Sequence, residues 1–305
     1  MFKTRFIVIL ILLLQFNVVL AQTVRNKHNI AFWGAGGYSN ILNNAHDVRS
    51  LGGVGFGVGG GYELHRRNFI FQTGLELQNL RGVLSLDDFV HTRVNMIDTE
   101  GDSYRGNFYF TENRDIYSLG YLNIPLMFGF QGQRFYFLAG GKVGINVFGN
   151  SSSRGTIRAT GDYPDLLGVF ENMPNHFFDT RQARFDSPVE MRLNYMLSAE
   201  IGRVFRVSNI TYRLALFCDY GLANIHNNSY RENLLVNEIP MSEMPVFGDM
   251  VGFLPAPYYR PMLNSLVRST MLENNFLNSL FVGVRLTMVI GLPERRECRW
   301  FICRK

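Results

Sequence analysis

Seven charged side chains stand at alternating positions within segments that are otherwise apolar. They are three acids and four bases: Glu76, Lys142, Arg192, Glu200, Arg213, Asp219 and Arg285. Acids and bases that share an interior either pair with one another or line a path for protons or ions. The pattern predicts a paired and hydrated ionic core, and a small gated pore is the alternative.

A run of glycines matches a second functional pattern, that of a phosphate-binding loop. Gly55-x-Gly57-x-x-Gly60 matches the dinucleotide-binding fingerprint, which needs a strand before it and a helix after it. Here the glycines alternate with large apolar residues inside one strand pattern, so the fingerprint lacks its helix. The run instead predicts a stripe without side chains that faces a narrow interior. The rings expected to fill that space are Trp33, Phe217 and Phe281.

Residue patterns for catalysis are weak. The six histidines are scattered, with no His-x-x-x-His pair and no nucleophile elbow. Asp87, Asp88 and His91 are similar to the rim acids and histidine of omptin-type barrel proteases, but those enzymes have more strands and assemble their site from several loops. A solvated acidic loop is the preferred interpretation. The sequence therefore predicts no catalytic residue, no cofactor-binding residue and no metal ligand.

The elements that would position these residues are β-strands. Apolar residues recur with a period of two over stretches of ten residues or more, which indicates strands with one apolar face. The stretches are 28–38, 52–64, 68–80, 115–130, 134–148, 189–206, 210–223 and 276–291. Each reaches the roughly 9–11 residues with which a tilted strand crosses a bilayer.

The connections between these strands alternate in length. Short turns are expected around 65–67, 131–133 and 207–209, and long loops at 39–51, 81–114, 149–188 and 224–275. Aromatic residues flank the short turns on the apolar face, as a girdle at a membrane interface does. The prediction is an all-β, eight-stranded antiparallel transmembrane β-barrel with short periplasmic turns and long extracellular loops.

Composition agrees with an exported β protein. The chain has 305 residues, of which 47% are hydrophobic, 18% are charged and 30 are glycine. These values exclude a disordered chain, a collagen and a long coiled coil. A formal net charge of +5 is too small to predict a nucleic-acid partner.

Residues 1–21 have the pattern of a cleaved signal peptide. Lys3 and Arg5 precede the apolar stretch 6–14, and Val19-Leu20-Ala21 forms a small-residue cleavage site. The expected mature chain is a barrel over 22–292 with a short basic periplasmic tail over 293–305. Within this tail Cys298 and Cys303 lie five positions apart, which suits either a disulfide or two free thiols.

Three stretches resemble the PorT-like outer-membrane β-barrel family of Bacteroidetes. They are Gly120-Tyr121-Leu122-Asn123-Ile124-Pro125-Leu126, Phe135-Tyr136-Phe137-Leu138-Ala139-Gly140-Gly141 and Ser279-Leu280-Phe281-Val282-Gly283-Val284-Arg285-Leu286-Thr287. The resemblance covers the strands and not the three large loops. It implies an outer-membrane barrel in a Gram-negative bacterium, and it allows a role as accessory subunit of the type IX secretion pathway.

The loops and the tail are the expected contact regions. Loops 81–115, 149–188 and 224–275 together carry about six more acids than bases, which indicates a solvated surface and is compatible with lipopolysaccharide bridged by divalent cations. Loop 224–275 is unusually apolar, so it either folds over the barrel mouth or docks another envelope protein. The basic tail 293–305 is a second candidate for that contact. The predicted function is a non-enzymatic structural or interaction role, with a secretion subunit and a narrow channel as alternatives.

Overall fold

The chain folds into one closed ring of antiparallel strands in a computed structural model. The structure describes residues 26–97, 102–164, 168–170, 180–208, 210–227, 229, 235–237, 261–269, 272 and 275–292. The predicted signal peptide 1–21, the tail 293–305 and the pair Cys298 and Cys303 lie outside the described residues. Among the residues described, no helix has the length and apolarity that a membrane span requires.

The described residues contain thirteen strands. They are β1 (Asn26–Asn43), β2 (Val48–Arg66), β3 (Phe69–Leu86), β4 (Phe89–Ile97), β5 (Ser103–Gln131), β6 (Phe135–Tyr163), β7 (Gly168–Phe170), β8 (Thr180–Pro188), β9 (Asn194–Val207), β10 (Ile210–Gly221), β11 (Leu235–Asn237), β12 (Pro261–Leu263) and β13 (Leu277–Gly291).

Eight of these strands form the ring. Its order is β1, β2, β3, β5, β6, β9, β10 and β13, and all neighbours are antiparallel. The first and last strands close it, in a ladder that runs from Asn29↔Gly291 to Asn43↔Leu277. Closure pairs every strand of the ring on both sides, which a sheet inside lipid requires. The predicted eight-stranded antiparallel barrel is confirmed.

An apolar belt covers the outside of the ring. Val54 is 72% exposed and Phe56 is 59% exposed, although both are strongly apolar. At the end with the short turns, the belt finishes in a girdle of exposed rings: Tyr62, Phe69, Phe128, Phe130, Phe135, Phe137 and Phe205. Two of these turns are tight, since Arg67 and Ser208 have φ values of 57° and 54°. Side chains that would be buried in a soluble protein thus face outward, toward lipid.

The opposite end differs from the prediction in how much of it is strand. The expected loop 39–51 shrinks to residues 44–47, because β1 and β2 continue almost to the turn. The expected loops 81–114 and 149–188 contain β4, β7 and β8, together with long extensions of β5 and β6. We call the sheet formed by β4, β8 and the outer parts of β5 and β6 the outer sheet.

The outer sheet has its own small core. Phe108, Phe110, Ile157 and Ala183 pack together with Leu263 of β12. Phe89 of β4 stacks on Phe110 with ring centroids 4.7 Å apart. The inner face is therefore apolar here and the outer face polar, which is the reverse of the membrane belt. Because of this reversal, the sequence pattern of an apolar outward face is absent here, and the pattern predicts loops at 81–114 and 149–188.

Candidate functional site

A network of five charged side chains crosses the middle of the barrel. Lys142 Nζ lies 2.8 Å from Glu76 Oε1 and 2.8 Å from Asp219 Oδ2. Arg285 Nη1 lies 2.7 Å from Glu200 Oε2, and its Nη2 lies 3.3 Å from Glu76 Oε2. All five residues are buried. We call this set the central network.

The residues of the central network come from five different strands of the barrel. Glu76 belongs to β3, Lys142 to β6, Glu200 to β9, Asp219 to β10 and Arg285 to β13. Each stands on the inward face because its neighbours along the strand face lipid, as the period of two requires. The ion pairs therefore tie opposite sides of the barrel together through its interior.

Neutral side chains donate further hydrogen bonds to the carboxylates of the central network. Trp33 Nε1 donates to Glu76 Oε2 at 2.6 Å, and Ser198 Oγ donates to Asp219 Oδ1 at 2.6 Å. These bonds matter because the network holds three acids and only two bases. Buried charges are stable only when their remaining lone pairs are also satisfied.

A second layer of charge lies nearer the short turns. Arg213 forms two bonds of 2.6 Å with the carboxylate of Glu63, and its Nε donates to Gln131 Oε1 at 2.7 Å. His65 contacts the same carboxylate, and the guanidinium lies 5.0 Å from the centre of the Tyr136 ring. The structure thus separates Arg213 from the central network and gives it a partner, Glu63, that sequence analysis missed. The signal was present, because Glu63 is on the inward face of segment 52–64.

Arg192 is not in the lumen. It is exposed and precedes the first residue of β9, Asn194. Its backbone N–H donates to the carbonyl of Ile225, which lies outside the strands, so Arg192 is not part of the sheet. The prediction placed Arg192 inward by extending the alternation of β9 beyond the start of the strand, and that placement is wrong.

The glycine stripe of β2 faces the interior, as predicted. A Cβ on Gly59 would lie 2.5 Å from Cε2 of Trp33, and a Cβ on Gly55 would lie 2.9 Å from Cε2 of Phe281. Phe217 meets Phe281 edge to face, with centroids 4.8 Å apart. The missing side chains therefore make room for rings from β1, β10 and β13, and no helix follows the run.

The described part of the fourth long loop lies inside the outer mouth of the barrel. Asp115 of β5 accepts hydrogen bonds from Leu266 N at 2.7 Å and from Ser265 Oγ at 3.1 Å. Tyr117 Oη and Ser153 Oγ also donate to this carboxylate. Residues 263–267 are all buried. We call residues 263–269 the plug segment. This part of the loop folds over the barrel mouth, which is the first of the two alternatives expected for it.

Burial shifts the titration of groups around the plug segment. Desolvation raises the pKa of the Asp115 carboxyl above its usual 3.8. Desolvation, together with the nearby Asp115 charge, raises the pKa of Tyr117. Burial lowers the pKa of His226, so it stays neutral while its Nε2 contacts the Val267 carbonyl at 2.8 Å. The plug segment is thus held by an acid that lacks a cationic partner among its contacts in the described structure.

The protease-like residues do not converge on one site. Asp87 forms an exposed ion pair of 2.6 Å with Arg49, and Asp88 accepts a bond from the backbone N–H of Glu112 at 3.2 Å. His91 lies exposed on β4. Across the described part of the chain, no group of three or more His, Cys, Asp or Glu residues has the arrangement of a metal site. In the described interior, the charged side chains of the central network and of the second layer form ion pairs within each layer.

Comparison with known proteins agrees with this architecture. Residues 20–227 match the family model described as outer membrane protein beta-barrel domain. No curated protein matches the chain. The matched residues cover seven of the eight ring strands, from β1 to β10. The chain therefore belongs to the outer membrane protein β-barrel domain family, and it is an outer-membrane β-barrel protein.

Proposed function

We propose that the protein is a closed, non-enzymatic barrel with a structural or protein-interaction role in the cell envelope. The observation that carries the proposal is the central network, which fills the lumen with mutually paired charges. The Arg213–Glu63 layer below it and the plug segment above it add two further closures. A barrel of eight strands has an interior just wide enough for side chains, so these three layers across it oppose a continuous water column.

The closed lumen argues against the channel alternative on energetic grounds. Opening a path would separate Lys142 from Glu76 and Asp219, which are buried to about 1% exposure. Leaving such a charge without its partner costs about 3–5 kcal/mol. The charged groups of the central network are thus paired with one another and not with a permeating ion.

The outer sheet is the surface that we assign to the interaction role. It continues β5 and β6 beyond the membrane belt, and β4 and β8 flank it. Its own apolar core makes it a rigid platform, in contrast to a solvated loop. A partner docking there would bind to a preformed surface and so lose little conformational entropy.

Planar-bilayer recording tests the closed state. We expect the purified wild-type barrel to give no single-channel steps. Steady conductance with a defined unit step would contradict the proposal and would favour the narrow channel.

Cross-linking in intact envelopes tests the interaction role. A tagged copy is cross-linked and purified, and its partners are identified by mass spectrometry. We expect one stoichiometric envelope partner, with cross-links on β4 or β8. If that partner is a component of a type IX secretion machine, the accessory-subunit alternative replaces the general one. Recovery of the barrel alone would contradict an interaction role.

A further inference from the structure

Three arginines lie side by side on the outward face of the outer sheet. Arg114 of β5 is directly opposite Arg154 of β6, and Arg154 is directly opposite Arg184 of β8. All three are exposed. Neighbouring strands are about 4.8 Å apart, so the three side chains start within a span of about 10 Å. We call them the arginine row.

The arginine row carries a net positive charge. Within the described structure, Arg184 pairs with Asp186 at 3.0 Å and Arg154 is attracted by the same carboxylate, although neither Arg114 nor Arg154 has a salt bridge within 4 Å. Like charges at directly opposite positions of an antiparallel pair destabilise the sheet. A row of this kind therefore has an electrostatic cost in the free protein, which a bound anion would remove.

A groove adjoins the row and can admit such an anion. Its volume is about 570 Å³, and its lining includes Glu112 and Gln182 besides the three arginines. The Glu112 carboxylate is the one acid in this lining, and Asp186 pairs with Arg184 beside it, so the three arginines exceed the two nearby acids by one charge. Guanidinium groups form two parallel N–H bonds with a phosphate or with a carboxylate. A phosphate monoester carries about −1.5 to −2 charge and three acceptor oxygens, so it can bridge neighbouring arginines where a single carboxylate cannot.

The height of the arginine row above the membrane distinguishes between two sources of phosphate, phospholipid headgroups and lipopolysaccharide core sugars. Phe148, 50% exposed, is the last apolar outward residue of β6, and Arg154 follows six residues later. Six residues rise about 20 Å along the strand. With a strand tilt of about 40°, the arginine row lies about 15 Å above the edge of the hydrocarbon. Phospholipid phosphates lie at that edge, whereas the phosphorylated core sugars of lipopolysaccharide extend beyond it.

We propose that the arginine row binds the phosphate groups of lipopolysaccharide core sugars in the outer leaflet. Nearer the membrane, Ser118, Asn150 and Ser152 line a second groove on the same face, with Arg81 and Asp186. Hydroxyl and amide groups of this kind suit sugar hydroxyls. The loops are acidic in sum, so their composition does not predict this site. The arginines lie together only because the strand register places them opposite one another.

The test measures binding of lipopolysaccharide to the purified, detergent-solubilised barrel at physiological salt. The probe is rough lipopolysaccharide, consisting of lipid A with its inner-core sugars. The variant replaces Arg114, Arg154 and Arg184 with Gln. The matched control replaces Arg134, Arg203 and Arg206, three exposed arginines at the short-turn end, with Gln. Heat-modifiable migration shows that each variant retains the barrel.

We expect the row variant to bind the probe at least about tenfold more weakly and the control to bind like the wild type. Probe stripped of its phosphates by hydrogen fluoride should also lose most of its affinity for the wild type. Equal binding of wild type and row variant would overturn the proposal. Undiminished binding of the stripped probe, or equal binding of phosphatidylglycerol or inorganic phosphate, would overturn the assignment to lipopolysaccharide phosphates. None of these results depends on whether the lumen conducts, so the proposed function is tested separately.

Discussion

Lys142 is the cation shared by two carboxylates of the central network. Replacing it with Met leaves Glu76 and Asp219 buried without that charge, while the chain length stays similar. We expect Lys142→Met to lower the free energy of unfolding by about 3–5 kcal/mol. Urea unfolding in lipid vesicles would measure this, with the fluorescence of Trp33 as a local probe because its Nε1 donates to Glu76.

Two controls separate the network from the loss of a charge. Lys27→Met removes an exposed lysine and should change the unfolding free energy by less than about 0.5 kcal/mol. The triple variant Lys142→Met, Glu76→Gln, Asp219→Asn removes the charges together, and it should recover part of the lost stability. Equal stability of Lys142→Met and the wild type would show that the network contributes little.

The glycine stripe offers a matched pair of substitutions on one strand. A Cβ on Gly59 would lie 2.5 Å from Trp33 Cε2 and 2.7 Å from the Leu75 carbonyl oxygen, whereas a Cβ on Gly57 meets nothing closer than 3.6 Å. We expect Gly59→Ala to destabilise the barrel by about 1–3 kcal/mol, because the backbone contact has no flexible end. Gly57→Ala should be nearly neutral. The same urea assay measures both, and a reversed order would mean that the stripe does not face the rings.

At this scale the sequence predicts inward residues well and their partners poorly. Alternation alone identifies the inward positions of Glu76 and Arg285, because a period of two allows only one of two faces. Pairing across the lumen depends on the register of strands that are far apart in sequence, such as β3 and β13. For that reason Glu63 was missed as the partner of Arg213. Arg192 was misplaced because the pattern does not show where a strand ends.

The plug segment is the element whose position depends on one acid. With the segment closed, burial raises the pKa of Asp115 above 3.8, and with it open the carboxyl returns toward that value. Between these two values the closed form binds more protons, so closure is favoured at low pH and weakens as the pH rises. Each unit of separation corresponds to about 1.4 kcal/mol.

Hydrogen exchange would measure this dependence. We expect the protection factors of the Leu266 and Val267 amides to fall as the pH rises from about 4, and then to level off above the raised pKa. In Asp115→Asn this fall should be absent, and protection should instead rise toward about pH 6.5, because burial keeps His226 neutral in the closed form. The amide of Trp33, in the barrel wall, serves as the reference. In the wild type, protection that increases over the range where it is expected to fall would contradict the assignment of a raised pKa to Asp115.

Elements inside the membrane were easier to predict than the outer sheet. A membrane strand has an apolar outward face that stands out in the sequence, since soluble surfaces are polar. The outer parts of β5 and β6 bury Phe110 and Ile157 inward and expose Arg114 and Arg154 outward. A polar outward face is what a loop also shows, and only pairing with β4 and β8 reveals a sheet.

For the whole molecule, the proposed closure of the lumen consists of three layers at different depths. The plug segment lies in the outer mouth, whereas the central network lies among the ring strands, and in the described part of the chain their hydrogen bonds and ion pairs involve different residues. The ring closes through β1 and β13, whose ladder does not involve the loop either. Removing the loop should therefore leave the ring and the two inner layers in place.

Replacing residues 228–274 with a short Gly-Ser linker tests this independence. The bond between Ile225 N and the Leu277 carbonyl holds the two ends together without the loop. We expect the variant to keep its heat-modifiable migration and to remain silent in planar bilayers, because the ion pairs of Lys142 and Arg285 still fill the lumen. Adding Lys142→Met and Arg213→Met to this variant removes the other two closures, and here brief conductance steps are expected. Steady conductance in the loop variant alone would mean that the plug segment, and not the central network, keeps the barrel closed.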